Sequence, residues 1–175
     1  NISIPYSEKS HPNPVNYYGM SKLNGEKHII NSNLDNSLIL RVSWLYNLNS
    51  KNNFVNKIIE KAKSSKFINV VSDEWGSPTN AKDLSTDLIK IIPNLNFKGV
   101  KIYNYCNSGS CNRFEFAKSI LENLNLGTKV IPLKNFTSDL KRPKFSALNN
   151  YKFSNDFNIN IDMWDVSLKK GLLKL

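Results

Sequence analysis

Tyr18 and Lys22 stand four positions apart, a spacing that on a helix puts both side chains on one face, where they can meet the same small molecule. Delivery of hydride to a carbonyl carbon leaves negative charge on the oxygen, and a phenol hydroxyl placed there can donate the neutralising proton. A phenol gives up its proton near neutral pH only beside a cation, because the positive charge favours the phenolate. Lys22 has the position for that role, and its ammonium can also hydrogen-bond a cofactor ribose. The spacing alone is weak. Seven tyrosines in a chain this rich in lysine give about one such match by chance, and a surface tyrosine beside a solvated lysine is the plainer reading.

To present the pair, residues 18–32 must form a helix. Met20, Leu23 and Ile30 give it an apolar stripe, with Glu26 and Lys27 elsewhere on its surface. The polar, proline-containing stretch 1–16 reads as a loop. Downstream, the short apolar runs 37–43, 67–71, 100–106 and 130–133 read as strands. The spacing over 54–63, 83–92, 113–124 and 166–173 predicts helices, the second of them closed by Pro93. Residues 73–80 and 107–112 read as turns, and 142–148 as an extended stretch. Strands separated by helices predict an α/β fold with a parallel sheet.

The 175 residues, 40% hydrophobic and 22% charged, suit one domain with a real core. No apolar run approaches the ~20 residues of a membrane helix, and no export signal opens the sequence, so membrane association is not expected and the cytoplasm is. Cys106 and Cys111 form no metal-ligand spacing with His11 and His28, so neither zinc nor a disulfide is expected. The net charge of +10 is spread over scattered lysines, with no basic helix or aromatic-plus-basic stripe, so nucleic acid is not expected as a partner. Such a diffuse charge can still draw in an anion such as a nucleotide diphosphate.

The string Pro14-Val15-Asn16-Tyr17-Tyr18-Gly19-Met20-Ser21-Lys22-Leu23-Asn24-Gly25-Glu26 resembles the active-site helix of the extended short-chain dehydrogenase/reductase family, P-x-x-x-Y-G-x-S-K-x-x-x-E. Three further segments narrow the resemblance to the dTDP-4-dehydrorhamnose reductases within it. Arg41-Val42-Ser43-Trp44-Leu45-Tyr46, followed by Asn53-Phe54-Val55, is similar to their R-x-S-W-x-Y and N-F-x. Residues 71–79 are similar to V-x-D-Q-x-G-x-P-T, and Arg142-Pro143 with Ser146 and Leu148 to R-P-x-x-S-x-L. Glu74 departs from the usual Gln, and Phe145 from a frequent Asn. If Glu74 faced the ligand, its charge could repel a diphosphate, which leaves the sugar nucleotide open.

The resemblance implies the C-terminal part of a Rossmann-like parallel sheet interleaved with a small α/β substrate-binding lobe. Residues 1–50 would be the remnant of the cofactor-binding domain, and 51–175 mainly the substrate lobe, with some segments returning to the sheet. It implies reduction of the 4-keto group of a dTDP-linked deoxysugar, with NADPH or NADH as cofactor and a nucleotide-diphosphate sugar as partner. Tyr18 would protonate the keto oxygen, and Lys22 would tune it and hold the ribose. Ser43 would border the nicotinamide, and Trp44 the sugar, at the carboxyl edge where open α/β sheets bind ligands; a core aromatic is the competing reading of Trp44. Asn53, Thr79 and Arg142 are substrate-side candidates. Against these stand a helix cap for Asn53, a turn for Thr79 and a structural ion pair for Arg142.

None of the seven glycines belongs to a G-x-G-x-x-G turn, the backbone cradle on which such enzymes hold the dinucleotide pyrophosphate. The chain is therefore expected to be a C-terminal fragment, inactive by itself because the cradle and a third catalytic hydroxyl would lie upstream. Three other readings stay open: a different nucleotide-sugar reductase, a nucleotide-sugar epimerase, and a non-catalytic sugar-nucleotide-binding subunit. Monomer and homodimer are equally open.

Overall fold

A computed structural model of the chain describes residues 4–135 and 141–174. The first three residues of the expected opening loop lie outside the described residues. Helix α1 (Tyr17–Ile30) leads into β1 (Ser37–Val42), β2 (Leu45–Tyr46), α2 (Phe54–Ser64) and β3 (Phe67–Val71). Next come β4 (Trp75–Gly76), β5 (Thr79–Asn80), α3 (Ala81–Ile91) with a 3-10 turn over Ile92–Asn94, and β6 (Val100–Tyr105). The chain then forms β7 (Cys111–Asn112), α4 (Arg113–Asn123), β8 (Lys129–Leu133), β9 (Phe145–Ser146), α5 (Tyr151–Phe157) and α6 (Trp164–Leu172).

The α/β class holds. β1 runs parallel to β6 from Ser37↔Val100 to Val42↔Tyr105, and β3 runs parallel to β8 from Phe67↔Lys129 to Val71↔Leu133. The pairing is not purely parallel, because β4 lies antiparallel to β7 on one side and parallel to β9 on the other. These two-residue strands fall inside segments that read as turn or extended chain, since so short a pairing leaves no periodicity to detect.

Asparagine starts four of the helices. The side chains of Asn16, Asn53, Asn80 and Asn112 accept from backbone N–H groups in the first turns of α1, α2, α3 and α4, satisfying donors that have no intrahelical partner. At α4 the cap is reciprocal, because the Glu115 carboxylate accepts from the Asn112 N–H in return. The Asn80 cap explains why α3 begins two residues before its expected start.

Two apolar clusters hold the elements together. In the first, α2, α4 and α6 pack with β3 around Phe116, whose ring meets those of Trp44, Tyr46, Phe54 and Trp164. In the second, Phe153 of α5 packs edge-on against Tyr103 and Tyr105 of β6, beside Ile159 and Ile161. The Tyr105 hydroxyl donates to the buried Asp87 carboxylate at 2.8 Å, so that polar group does not go unpaired.

Helix α1 differs from expectation. It buries no residue, and Met20 and Ile30 of its apolar stripe are 45% and 46% exposed. Its ties to the described residues are polar instead. Arg41 grips Glu26 with two fingers, Nε to Oε1 at 2.9 Å and Nη2 to Oε2 at 2.6 Å, and the Asn16 amide donates to the Lys141 carbonyl at 2.8 Å.

Candidate active site

Residues 6–15, α1, the end of β1, the start of α4 and the 142–148 segment line an open cavity of about 720 Å³. Lys22 and Gly19 line it from α1, Ser43 and Trp44 from the end of β1, and Arg113 and Arg142 from the opposite side with Glu74. Four of the residues singled out in the sequence, Lys22, Ser43, Trp44 and Arg142, thus share one space. Tyr18 does not line it. The residue is 69% exposed, with the Lys22 ammonium 5.5 Å from the ring centroid.

Trp44 adopts a left-handed backbone with φ 43°, uncommon for a bulky side chain and tolerated where the surroundings fix it. Gly76 makes the room: a Cβ there would stand 2.3 Å from the indole Cε2. The Arg113 guanidinium covers the ring, its Cζ 3.6 Å from the centroid, and also lies 4.8 Å from the Phe54 ring. Trp44 therefore combines the two roles set against each other for it. It packs on Phe116 in the core and still faces the cavity.

Ser43 is buried, and its hydroxyl donates to the Ser146 carbonyl at 3.0 Å and accepts from the Ser77 N–H at 3.3 Å. Its single proton is thereby committed to joining β1 to the 142–148 segment. Two expected substrate-side residues make local hydrogen bonds instead of lining the cavity. Thr79 is fully buried, outside the cavity lining, and its hydroxyl donates to the Ser43 carbonyl. Asn53 caps α2 while its amide donates to the carbonyls of Asn47 and Ser50, each at 2.6 Å. The donor protons of both side chains are taken by local carbonyls, since short polar side chains near turns satisfy the local backbone first.

Arg113 is the cavity residue that the sequence reading passed over. It is the first residue of α4, where the helix dipole disfavours a cation, and that misplacement was the one available signal. Burial pushes its pKa down to about 10; Glu74 opposes the shift and Arg142 adds to it. Below this arginine a second cavity of about 210 Å³ opens, also lined by Phe54, Lys61, Glu74 and Arg142.

Elsewhere, Cys106 and Cys111 are free and buried, and burial raises the Cys106 thiol to about 11. Among the described residues no group of three or more His, Cys, Asp and Glu side chains could hold a metal. No helix among them is long and apolar enough to cross a membrane.

Residues 1–175 match the RmlD substrate binding domain. The spore coat polysaccharide biosynthesis protein SpsK of Bacillus subtilis (strain 168) is 34% identical over 170 residues, covering 96% of this chain and 58% of that protein. The dTDP-4-dehydrorhamnose reductase of Escherichia coli (strain K12) is 28% identical over 187 residues, covering all of this chain and 61% of the relative. Among solved structures, the dTDP-4-dehydrorhamnose reductase of Bacillus anthracis in complex with NADP superimposes with a TM-score of 0.86 at 32% identity, covering 97% of this chain and 59% of that one. A UDP-glucuronic acid 4-epimerase from Bacillus cereus shares the fold at a TM-score of 0.77 and 20% identity. The chain spans about three fifths of the length of these relatives. It belongs to the family of the RmlD substrate binding domain.

Proposed function

We propose that this chain carries the substrate side and the Tyr18–Lys22 pair of an oxidoreductase that converts dTDP-4-dehydro-L-rhamnose to dTDP-L-rhamnose, using NADPH or NADH. The observation that carries the reading is the placement of Lys22, beside the Tyr18 ring and lining the same cavity as Trp44 and Arg142. Among the described residues Lys22 makes no ion pair and the Tyr18 hydroxyl no hydrogen bond, so both groups are available to ligands. They suit the ribose and nicotinamide end of a cofactor, whereas none of the chain's glycines builds a pyrophosphate cradle. In this reading residues 1–50 belong to the cofactor side and 51–175 mainly to the substrate side, with β6 lying beside β1.

A nicotinamide cofactor, when bound, would supply the hydride for the C4 carbonyl carbon. Tyr18 Oη hydrogen-bonds the keto oxygen and passes its proton there as charge develops, a contribution of roughly 10²–10⁴ in rate. Lys22 stabilises the phenolate left behind and holds the ribose hydroxyls. Trp44 offers an apolar surface to the deoxysugar ring, and Arg142 a guanidinium to phosphate. Ser43 shapes the wall beside the nicotinamide. The family names of the relatives and the NADP in the B. anthracis structure support the same assignment. In Bacillus subtilis the SpsK name points to polysaccharide biosynthesis, the process such a product would feed.

Glu74 favours a second reading, reduction of a different nucleotide 4-ketosugar, because its carboxylate lines the cavity. Incubating the full-length protein with NADPH and a panel of nucleotide 4-ketosugars separates the two. Oxidation of NADPH is expected with the dTDP-linked substrate, and its loss on Tyr18→Phe. No oxidation with that substrate would overturn the first reading, and unchanged turnover of Tyr18→Phe would overturn the assignment of the proton donor.

A further inference from the structure

Arg113 makes no side-chain hydrogen bond and no salt bridge among the described residues. A guanidinium has five N–H donors, and leaving them without acceptors while the group is partly buried is costly. The guanidinium nevertheless lies over the Trp44 ring and close to that of Phe54, and it borders both the large and the small cavity. Arg142 borders both as well, close enough to disfavour the charge on Arg113. Neither Arg142 nor Lys61 forms a salt bridge among the described residues.

We infer that Arg113 binds the diphosphate of the nucleotide ligand, clamping it together with Arg142 at the junction of the two cavities. The inference rests on the nucleotide-sugar reading above and adds to it a recognition residue and the place of the anion. Charge supports this ligand chemistry. Lys61, Arg113 and Arg142 against Glu74 leave the small cavity's lining with two net positive charges, and a diphosphate diester carries two negative ones. Glu74 is outnumbered, so it does not turn the junction anionic. Contact with two aromatic rings restricts the Arg113 side chain, which lowers the ordering cost of a forked contact with phosphate oxygens. A phosphate at this point also lies at the N-terminal end of α4, whose dipole favours an anion and disfavours the bare cation.

The test uses the full-length protein and isothermal titration with dTDP, thymidine and inorganic pyrophosphate. Arg113→Met keeps a side chain between the rings and removes the charge; Arg113→Lys keeps the charge and removes the fork. Affinity for dTDP and for pyrophosphate is expected to fall roughly ten- to hundredfold in Arg113→Met and less in Arg113→Lys, with thymidine binding unchanged. Arg113→Lys decides alone if the Met variant does not fold. Wild-type affinity for pyrophosphate and dTDP in the variants, an equal loss of dTDP and thymidine binding, or no pyrophosphate or dTDP binding by the wild type would each overturn the inference. Pyrophosphate binding does not depend on the sugar. Failure of the ketosugar panel with an intact Arg113 effect would therefore sink the substrate assignment and leave the anion site standing.

Discussion

Replacing Arg41 with Met should loosen the helix that carries Tyr18 and Lys22 while leaving the β1–β6 pairing in place. α1 buries no residue fully, so apolar packing on the described residues holds it weakly, and the Arg41–Glu26 fork is the one ion pair it makes among them. The two side chains are 21% and 19% exposed, between two limits: exposed pairs couple by ~0.2–1 kcal/mol, and breaking buried ones costs ~3–5 kcal/mol. A loss of about 2 kcal/mol is therefore expected, because Glu26 is left partly desolvated and unpaired. A double-mutant cycle with Glu26→Gln should return a coupling of about 1 kcal/mol. Hydrogen exchange gives the local readout: amides in the α1 segment should exchange roughly thirtyfold faster, and those of β1 and β6 little faster. If α1 exchange is unchanged in Arg41→Met, or if the cycle shows no coupling, the helix is held by something other than this fork.

Three further outcomes follow from single contacts. Gly76→Ala drives a methyl into the Trp44 indole, and the overpacking should cost about 1–3 kcal/mol and shift the Trp fluorescence; a wild-type melting temperature and spectrum would refute the placement of the ring. Tyr105→Phe removes the donor to Asp87 and should cost about 1–2 kcal/mol in urea unfolding, whereas a neutral result would mean that the Asp87–Lys90 contact suffices. Because burial raises the Cys106 thiol to about 11, its contribution to stability is complete below the unfolded value of ~8.5 and is lost as pH climbs through about 11. At pH 8 a disulfide reagent should label neither cysteine in the native protein and both in urea. Fast native labelling would contradict the burial of the two thiols.

The long elements were legible because their periodicity extends over several turns or alternations, as in α2, α4, β1 and β6. The short helix α5 was not. Residues 151–157 alternate Phe153 and Phe157 with polar Asn and Asp in an asparagine-rich context, which reads as loop until β6 supplies the partners for those rings. The site shows the same division. Lys22, Ser43, Trp44 and Arg142, where motif and chemistry coincide, line one cavity, while Asn53 and Thr79 carry equally suggestive side chains whose donor protons are taken by local carbonyls. That local bonding cannot be read from spacing. Arg113 was missed for the opposite reason: its neighbours Trp44 and Phe54 lie at least 59 positions away in a sequence that gives no sign of their meeting.

The four motif segments are bound to one another pairwise, and this changes what their joint presence means. Glu26 of the first grips Arg41 of the second. Trp44 of the second rests on Gly76 of the third, and Ser43 takes bonds from Ser77 and Thr79. Trp75 of the third receives the ladder of β9, and Ser43 reaches Ser146 in the fourth. Most motif residues therefore build a wall, and few of them touch its open face. A substitution at a wall position should be relieved by a complementary change in the partner segment, as smaller indole replacements at Trp44 should relieve Gly76→Ala. Under the proposed function, the polar groups of Tyr18, Lys22, Arg113 and Arg142 would find no such partner among the described residues, because what they would meet is the ligand. Rescue by a second-site change thus separates the scaffold from the chemistry, and it does so for a pair of residues at a time rather than for a motif as a whole.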